Sequence, residues 1–210
     1  MDKKQEIIRL LKKEYKGAKI ALHYGSTFEL LVAVILSAQC TDRQVNVVTE
    51  ELFKKYKTPD DYAGADFDEF SRDIRSTGFF RNKARNVIRT ARRIVDDFAG
   101  DVPQTMEELL TLFGVARKTA NIVLYNAFGK NEGIAVDTHV RRVSGRLGLS
   151  HQKSPEKIER DLMKILKRNE WGRFSYVLIE HGRAVCRARN PLCRECAAGH
   201  LCPSRKGFFP

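Results

Sequence analysis

Four of the five cysteines, Cys186, Cys193, Cys196 and Cys202, fall within seventeen residues at a C-x6-C-x2-C-x5-C spacing. The fifth, Cys40, lies alone in an apolar segment. Met1-Asp2-Lys3-Lys4-Gln5-Glu6 has no apolar stretch after its lysines, so no export signal is expected. The four thiols therefore read as metal ligands rather than as a disulfide framework. Structural zinc sites commonly pair two short C-x2–4-C knuckles, and here only Cys193 and Cys196 are that close. The longer loops on either side suit a bulkier iron–sulfur cubane, with zinc as the alternative. Four thiolates around a [4Fe–4S]2+ core leave a net negative charge. Arg187, Arg189 and Arg194, in the same loops, are placed to offset it and to offer cations to a phosphate backbone.

Lys118 and Asp137 are the other groups suited to chemistry. In Leu112-Phe-Gly-Val-Ala-Arg-Lys-Thr-Ala120 a short helix ends, a tight turn follows and a second helix begins. Free amides at such a helix start hold phosphate, and Gly114 lets the backbone come close. The same residues are equally compatible with a plain pair of packed helices. Lys118 falls in the first turn, where the positive end of the helix dipole disfavours an ammonium. An amine inclined to lose its proton is a candidate Schiff-base nucleophile, although a phosphate-binding lysine is the commoner role. Ile134-Ala-Val-Asp137 delivers a carboxylate just ahead of another helix. Asp there is a favoured N-cap. It is also suited to steadying a cationic sugar or deprotonating a nearby amine.

The elements that must carry these groups are helical. Ile7, Leu10 and Leu11 begin a helix that Gly17 can end. Ser26-x-x-Glu29 has the form of a capping box, and the apolar run after it predicts a central, buried helix over 28–38. Thr58-Pro59 and Ser154-Pro155 start further helices. Ala84, Val87, Ile88, Ala91 and Ile94 repeat at helical spacing, with Lys83, Arg85, Arg89, Arg92 and Arg93 expected on the solvated face. Thr105-x-x-Glu108 opens a short helix ending near Leu112, and 117–128 reads as the next. Val140, Val143 and Leu147 mark one more, and Phe174, Val177, Leu178 and His181 the last. The fold class is all-α.

With 210 residues the chain suits one large domain or two small ones. An apolar fraction of 42% with 30% charged residues excludes wholesale disorder. The longest apolar run, Leu30–Leu36, is far short of the ~18 residues of a membrane span. The formal charge of +12 favours a polyanionic partner, with DNA or RNA first among candidates.

Taken in order, Leu36-Ser-Ala-Gln-Cys-Thr-Asp42, Gly78-Phe-Phe-Arg-Asn-Lys-Ala84, Gly114-Val-Ala-Arg-Lys-Thr-Ala-Asn121, Val136-Asp-Thr-His139, His181-Gly-Arg183 and the four cysteines resemble the endonuclease III family of DNA repair glycosylases. The resemblance covers nearly the whole chain. It implies a two-lobed helix-hairpin-helix fold. One lobe has six helices over about 21–132, with the hairpin at about 105–128. The other combines 1–20 with 133–210 and holds a [4Fe–4S] cluster.

By position, Lys118 matches the family's catalytic lysine and Asp137 its catalytic aspartate. Gln39 matches the residue that fills the gap left by an extruded base, and Phe79 the wedge that is often Leu. Gly114, Val115, Ala116, Arg117 and Thr119 fall in the phosphate-binding hairpin. The implied partner is double-stranded DNA with a damaged pyrimidine or an abasic site, bound by a monomer. The implied location is cytoplasmic, at the nucleoid. Two positions depart from the family's usual hairpin: Phe113 stands for a proline and Ala116 for a glycine. The expectation is a less rigid turn and a less close phosphate approach. Adenine-mismatch glycosylases share the scaffold but lack the lysine. A non-catalytic DNA-binding or redox-sensing protein is the reading from another class.

Overall fold

The structure, a computed structural model, describes residues 2–208. Among them every regular element is helical: α1 (Lys3–Glu14), α2 (Thr27–Leu36), α3 (Asp42–Lys55), α4 (Pro59–Ala63), α5 (Phe67–Asp73), α6 (Phe80–Phe98), α7 (Met106–Leu109), α8 (Arg117–Phe128), α9 (Thr138–Arg146), α10 (Pro155–Ile165) and α11 (Trp171–Ala184). None is long and apolar enough to cross a membrane. The chain divides into two compact units. One is Ala21–Lys130; the other joins the chain up to Ile20 with everything from Asn131 onward.

The core of the first unit is α2. Phe28 and every residue from Leu30 to Leu36 are buried, because a helix apolar on all sides has no face to give to water. Helices α3, α6 and α8 pack around it. Burying leucines such as Leu30, Leu31 and Leu36 contributes about 1.5–3 kcal/mol each. Phe28, Tyr56, Tyr62 and Phe70 add an edge-to-face aromatic cluster that ties α4 and α5 to that core.

Helix α3 has clear local causes. The Thr41 hydroxyl accepts from the Gln44 N–H, and Val45, Val48 and Leu52 line the buried face. Asp66 caps α5 in the same way through the Glu69 N–H. Both helices lie outside the segments that apolar periodicity marks most strongly. In the second unit α9 packs on α10 and α11, and α1 packs on α11.

Three local expectations are adjusted by the folded chain. Helix α1 ends at Glu14 with Tyr15 as its C-cap, ahead of Gly17, which is not left-handed. Ser26 does cap Glu29, but the Glu29 carboxylate takes its hydrogen bond from Gly25 rather than from Ser26. Lys83 does not lie on the solvated face of α6 with the arginines; it is 4% exposed.

Candidate functional site

The turn between α7 and α8 is built by short-range rules and then locked from outside. The Thr105 hydroxyl accepts from the Glu108 N–H at 3.2 Å and starts α7. Gly114 has φ +77, and a Cβ there would lie 2.9 Å from Asn86 Nδ2 and 3.1 Å from Asn86 Cβ. Only glycine meets both demands. Gly114→Ala is expected to cost about 1–3 kcal/mol through backbone strain and crowding. Thermal denaturation measures it, and an unchanged melting temperature would show that Asn86 moves away freely.

Phe113 does not leave the turn loose. The Arg89 guanidinium lies 3.6 Å from its ring centroid, and the Thr90 hydroxyl donates to its carbonyl at 2.9 Å. A cation–π stack plus a hydrogen bond thus restrain the turn through α6. Ala116 has φ −100, extended backbone that costs an alanine nothing. It is the N-cap of α8 and supplies no side-chain acceptor, so no side chain of its own caps the amides of the first turn. Gly114 and Ala116 are exposed, Val115 and Thr119 are buried, and Arg117 and Lys118 are half-buried in the first turn of α8.

In the second unit Asp137 is half-buried and is the N-cap of α9, accepting from the Val140 N–H at 2.7 Å. One carboxylate oxygen is thereby committed to the helix. The strand-like approach, Ile134 to Val136, is buried, and the Ile134 N–H donates to the buried Glu159 carboxylate at 3.1 Å. That bond fixes the segment that delivers Asp137.

Cys186, Cys193, Cys196 and Cys202 line one cavity together with His181, Leu147, Val185, Pro191, Gly199 and Arg205. Among the described residues no three of His, Cys, Asp or Glu form a ligand set for a single metal ion. Four thiols lining one shared space are a donor set of the kind that can hold an iron–sulfur cluster. Gly199 belongs to this cradle: a Cβ would sit 2.8 Å from the Cys193 carbonyl. Burial pushes the Cys196 and Cys202 thiols up, a cost that ligation of the thiolates would offset.

Besides Arg205, which lines the cavity, α9 brings two cations to the cradle. Arg142 donates to the Cys186 carbonyl at 3.1 Å and to Gly182 O at 2.9 Å. Arg146 donates to Arg187 O at 2.6 Å and Ala188 O at 3.0 Å, with Cys186 Sγ 3.7 Å away. Arg187, Arg189 and Arg194, singled out by loop position, all lie at the surface. Spacing along the chain does not reveal Arg142 and Arg146, because their targets lie about forty residues away. His181, 1% exposed, stands 3.6 Å from Cys196 Sγ and 3.1 Å from the Tyr15 hydroxyl. Burial holds its imidazole down at about 4.

Gln39 and Phe79 both have left-handed backbones, with φ 53 and φ 49, and both are exposed, Phe79 to 67%. Left-handed non-glycine residues are uncommon, and a bulky one is held there only by its surroundings.

Residues 32–168 match the family model described as HhH-GPD superfamily base excision DNA repair protein. The chain is 57% identical to Endonuclease III of Synechocystis sp. over 199 residues, covering 95% of this chain and 91% of that one. It is 47% identical to Endonuclease III of Bacillus subtilis, covering 90% and 86%. Its backbone is similar to that of a non-covalent Endonuclease III–DNA complex (TM-score 0.94, 44% identity, 99% and 98% covered). It is likewise similar to that of a trapped Endonuclease III–DNA covalent intermediate (TM-score 0.95, 44% identity, all of both chains).

Proposed function

The chain belongs to the endonuclease III family of base excision DNA repair proteins, and from that premise we propose that its substrate is duplex DNA carrying an oxidised or saturated pyrimidine or an abasic site, engaged by a single copy of the chain. The enzyme is a bifunctional glycosylase and abasic-site lyase. The observation that carries the reading onto this chain's own residues is Lys118: a half-buried amine in the first turn of a helix that has no side-chain cap, directly behind the turn at Gly114.

In this reading the amides at the start of α8 hold a DNA phosphate, with Val115, Arg117 and Thr119 around them. The damaged base is turned out of the stack, which costs a few kcal/mol and least for a poorly stacked lesion. Gln39 fills the gap and Phe79 wedges the neighbouring step. Lys118 Nζ attacks C1′ of the deoxyribose, and the glycosidic C–N bond breaks with its electrons leaving on the base, which takes up the proton that the amine sheds. The C1′–O4′ bond then breaks, O4′ taking up a proton from water, and the opened sugar is left as an iminium joining Nζ and C1′. Loss of a C2′ proton then expels the 3′ phosphate by β-elimination, and water releases the amine. Asp137, which matches the family's catalytic aspartate by position, is the carboxylate proposed to steady the cationic sugar.

The four cysteines would hold a [4Fe–4S] cluster, which when bound supplies a cross-link among loops that have little apolar core of their own. Arg142 and Arg146 would balance its charge, and Arg187, Arg189 and Arg194 would reach phosphate.

Cleavage of duplexes containing thymine glycol, compared with undamaged duplexes, tests the substrate reading; cleavage of both alike would overturn it. Phosphate contacts should also make affinity fall steeply with salt, with a log–log slope near −0.9 per contact and a total of about −4 to −6 for the hairpin and basic loops together. Binding isotherms at several salt concentrations measure it, and a flat response would remove the basic surface from the interface.

A further inference from the structure

Lys83 is a buried ammonium, and none of its partners is a carboxylate. Its Nζ donates to Leu36 O and to Thr77 O, both at 2.8 Å. Its own backbone N–H donates to Phe79 O at 3.1 Å. Leu36 ends α2, and Thr77 ends the short helical turn at Arg75–Thr77. Their carbonyls are among those that a helix end leaves without a partner, and they sit at the negative end of each local dipole. Burial lowers the affinity of Lys83 for its proton, and the charge of the nearby Cys40 side chain opposes that loss.

The two acceptors continue directly into two unusual places. Leu36 is three residues before Gln39 and Thr77 two residues before Phe79, two of the four exposed non-glycine residues with left-handed backbones among the described residues. A second bond, from Gln44 Nε2 to Ser76 Oγ at 2.9 Å, joins the same two segments at the surface.

We propose that Lys83 is a positioning residue that couples the Gln39 tip to the Phe79 tip, so that the plug and the wedge enter the duplex as one preformed body. The proposal rests on the assignment of Gln39 and Phe79 to DNA made above. Lys83 touches neither base nor sugar. Its effect falls on opening the helix, and the reaction at a sugar that is already unpaired does not need it.

Lys83→Met keeps the buried stem and removes the donors. It is expected to slow excision of thymine glycol from duplex DNA by about 10- to 100-fold, the scale of a small misplacement of a positioned group. Borohydride trapping on a single-stranded abasic oligonucleotide should stay within about twofold, since that sugar needs no extrusion. A 2-aminopurine placed opposite the lesion should lose the fluorescence change that reports gap filling. Gln44→Ala, made at the surface and therefore safe for folding, should give a smaller loss with the same duplex selectivity.

Equal losses on both substrates would mean that Lys83 only holds the fold, and unchanged duplex excision in both variants would also overturn the coupling. Gln39→Ala and Phe79→Ala are the controls for the parent assignment. If they leave duplex excision intact, the tips do not enter DNA and the parent assignment fails. If they lose it while Lys83→Met and Gln44→Ala do not, only the coupling fails.

Discussion

Lys118→Ala is expected to abolish the borohydride-trapped adduct with abasic DNA while leaving DNA affinity within a few-fold. Trapping reduces an iminium, and an iminium forms only from an amine that has attacked C1′. Strand cleavage by β-elimination depends on the same intermediate, because the iminium is what acidifies the C2′ proton. The expected fall in cleavage rate is on the order of 10⁴ or more, the scale of removing a covalent nucleophile from an enzyme. Affinity survives because the phosphate contacts assigned to the hairpin are made by backbone amides, which the substitution leaves in place. The helix survives because alanine is the best helix former and Lys118 holds no cap. An undiminished adduct would move the chemistry to another amine.

The second large effect is expected at the thiols. Cys196→Ala removes one of the four proposed cluster ligands from a region whose chain runs from α11 to Phe208 with only short helical turns between. Metal binding to such loops is folding free energy, on the order of 10 kcal/mol for structural sites. That is comparable to the whole ~5–15 kcal/mol stability of a domain. The native protein should be yellow-brown and contain iron. The variant should lose both colour and iron and unfold at much lower denaturant concentration. Zinc without iron in the native protein would overturn the cluster and favour the single-ion alternative. Arg142 and Arg146 sharpen the test, since both guanidinium groups grip the backbone around Cys186. Removing either should weaken iron retention while all four thiols remain.

The hairpin shows why a departure from a family pattern is hard to weigh from one chain. Exchanging a proline for Phe113 frees a backbone torsion, and by itself that loosens the turn. The compensating contacts come from α6, where Arg89 and Thr90 lie more than twenty residues earlier. Nothing in the local pattern distinguishes Arg89 from Arg85 or Arg92. Only the approach of α6 to the turn makes one of them a clamp.

Capping, turn chemistry and apolar periodicity depend on residues within about four positions, so they can be read along the chain. Thr58, Thr105, Asp137 and Ser154 cap helices where their spacing says they should. Helix α8 runs over Arg117–Phe128, and the run after Phe28 is the buried centre. The cysteine spacing and the order of the motifs carried the family reading for the same reason: identity and order survive without coordinates.

Partners at long range could not be read that way. Lys83 reaches a carbonyl 47 positions away, and Arg146 reaches carbonyls 41 and 42 positions away. Helical spacing places Lys83 beside exposed arginines, because periodicity records which way a side chain leaves the helix and not whether another segment waits to receive it. The fold supplies that segment. A long flexible stem lets an ammonium cross from the edge of a helix into a buried pair of carbonyls.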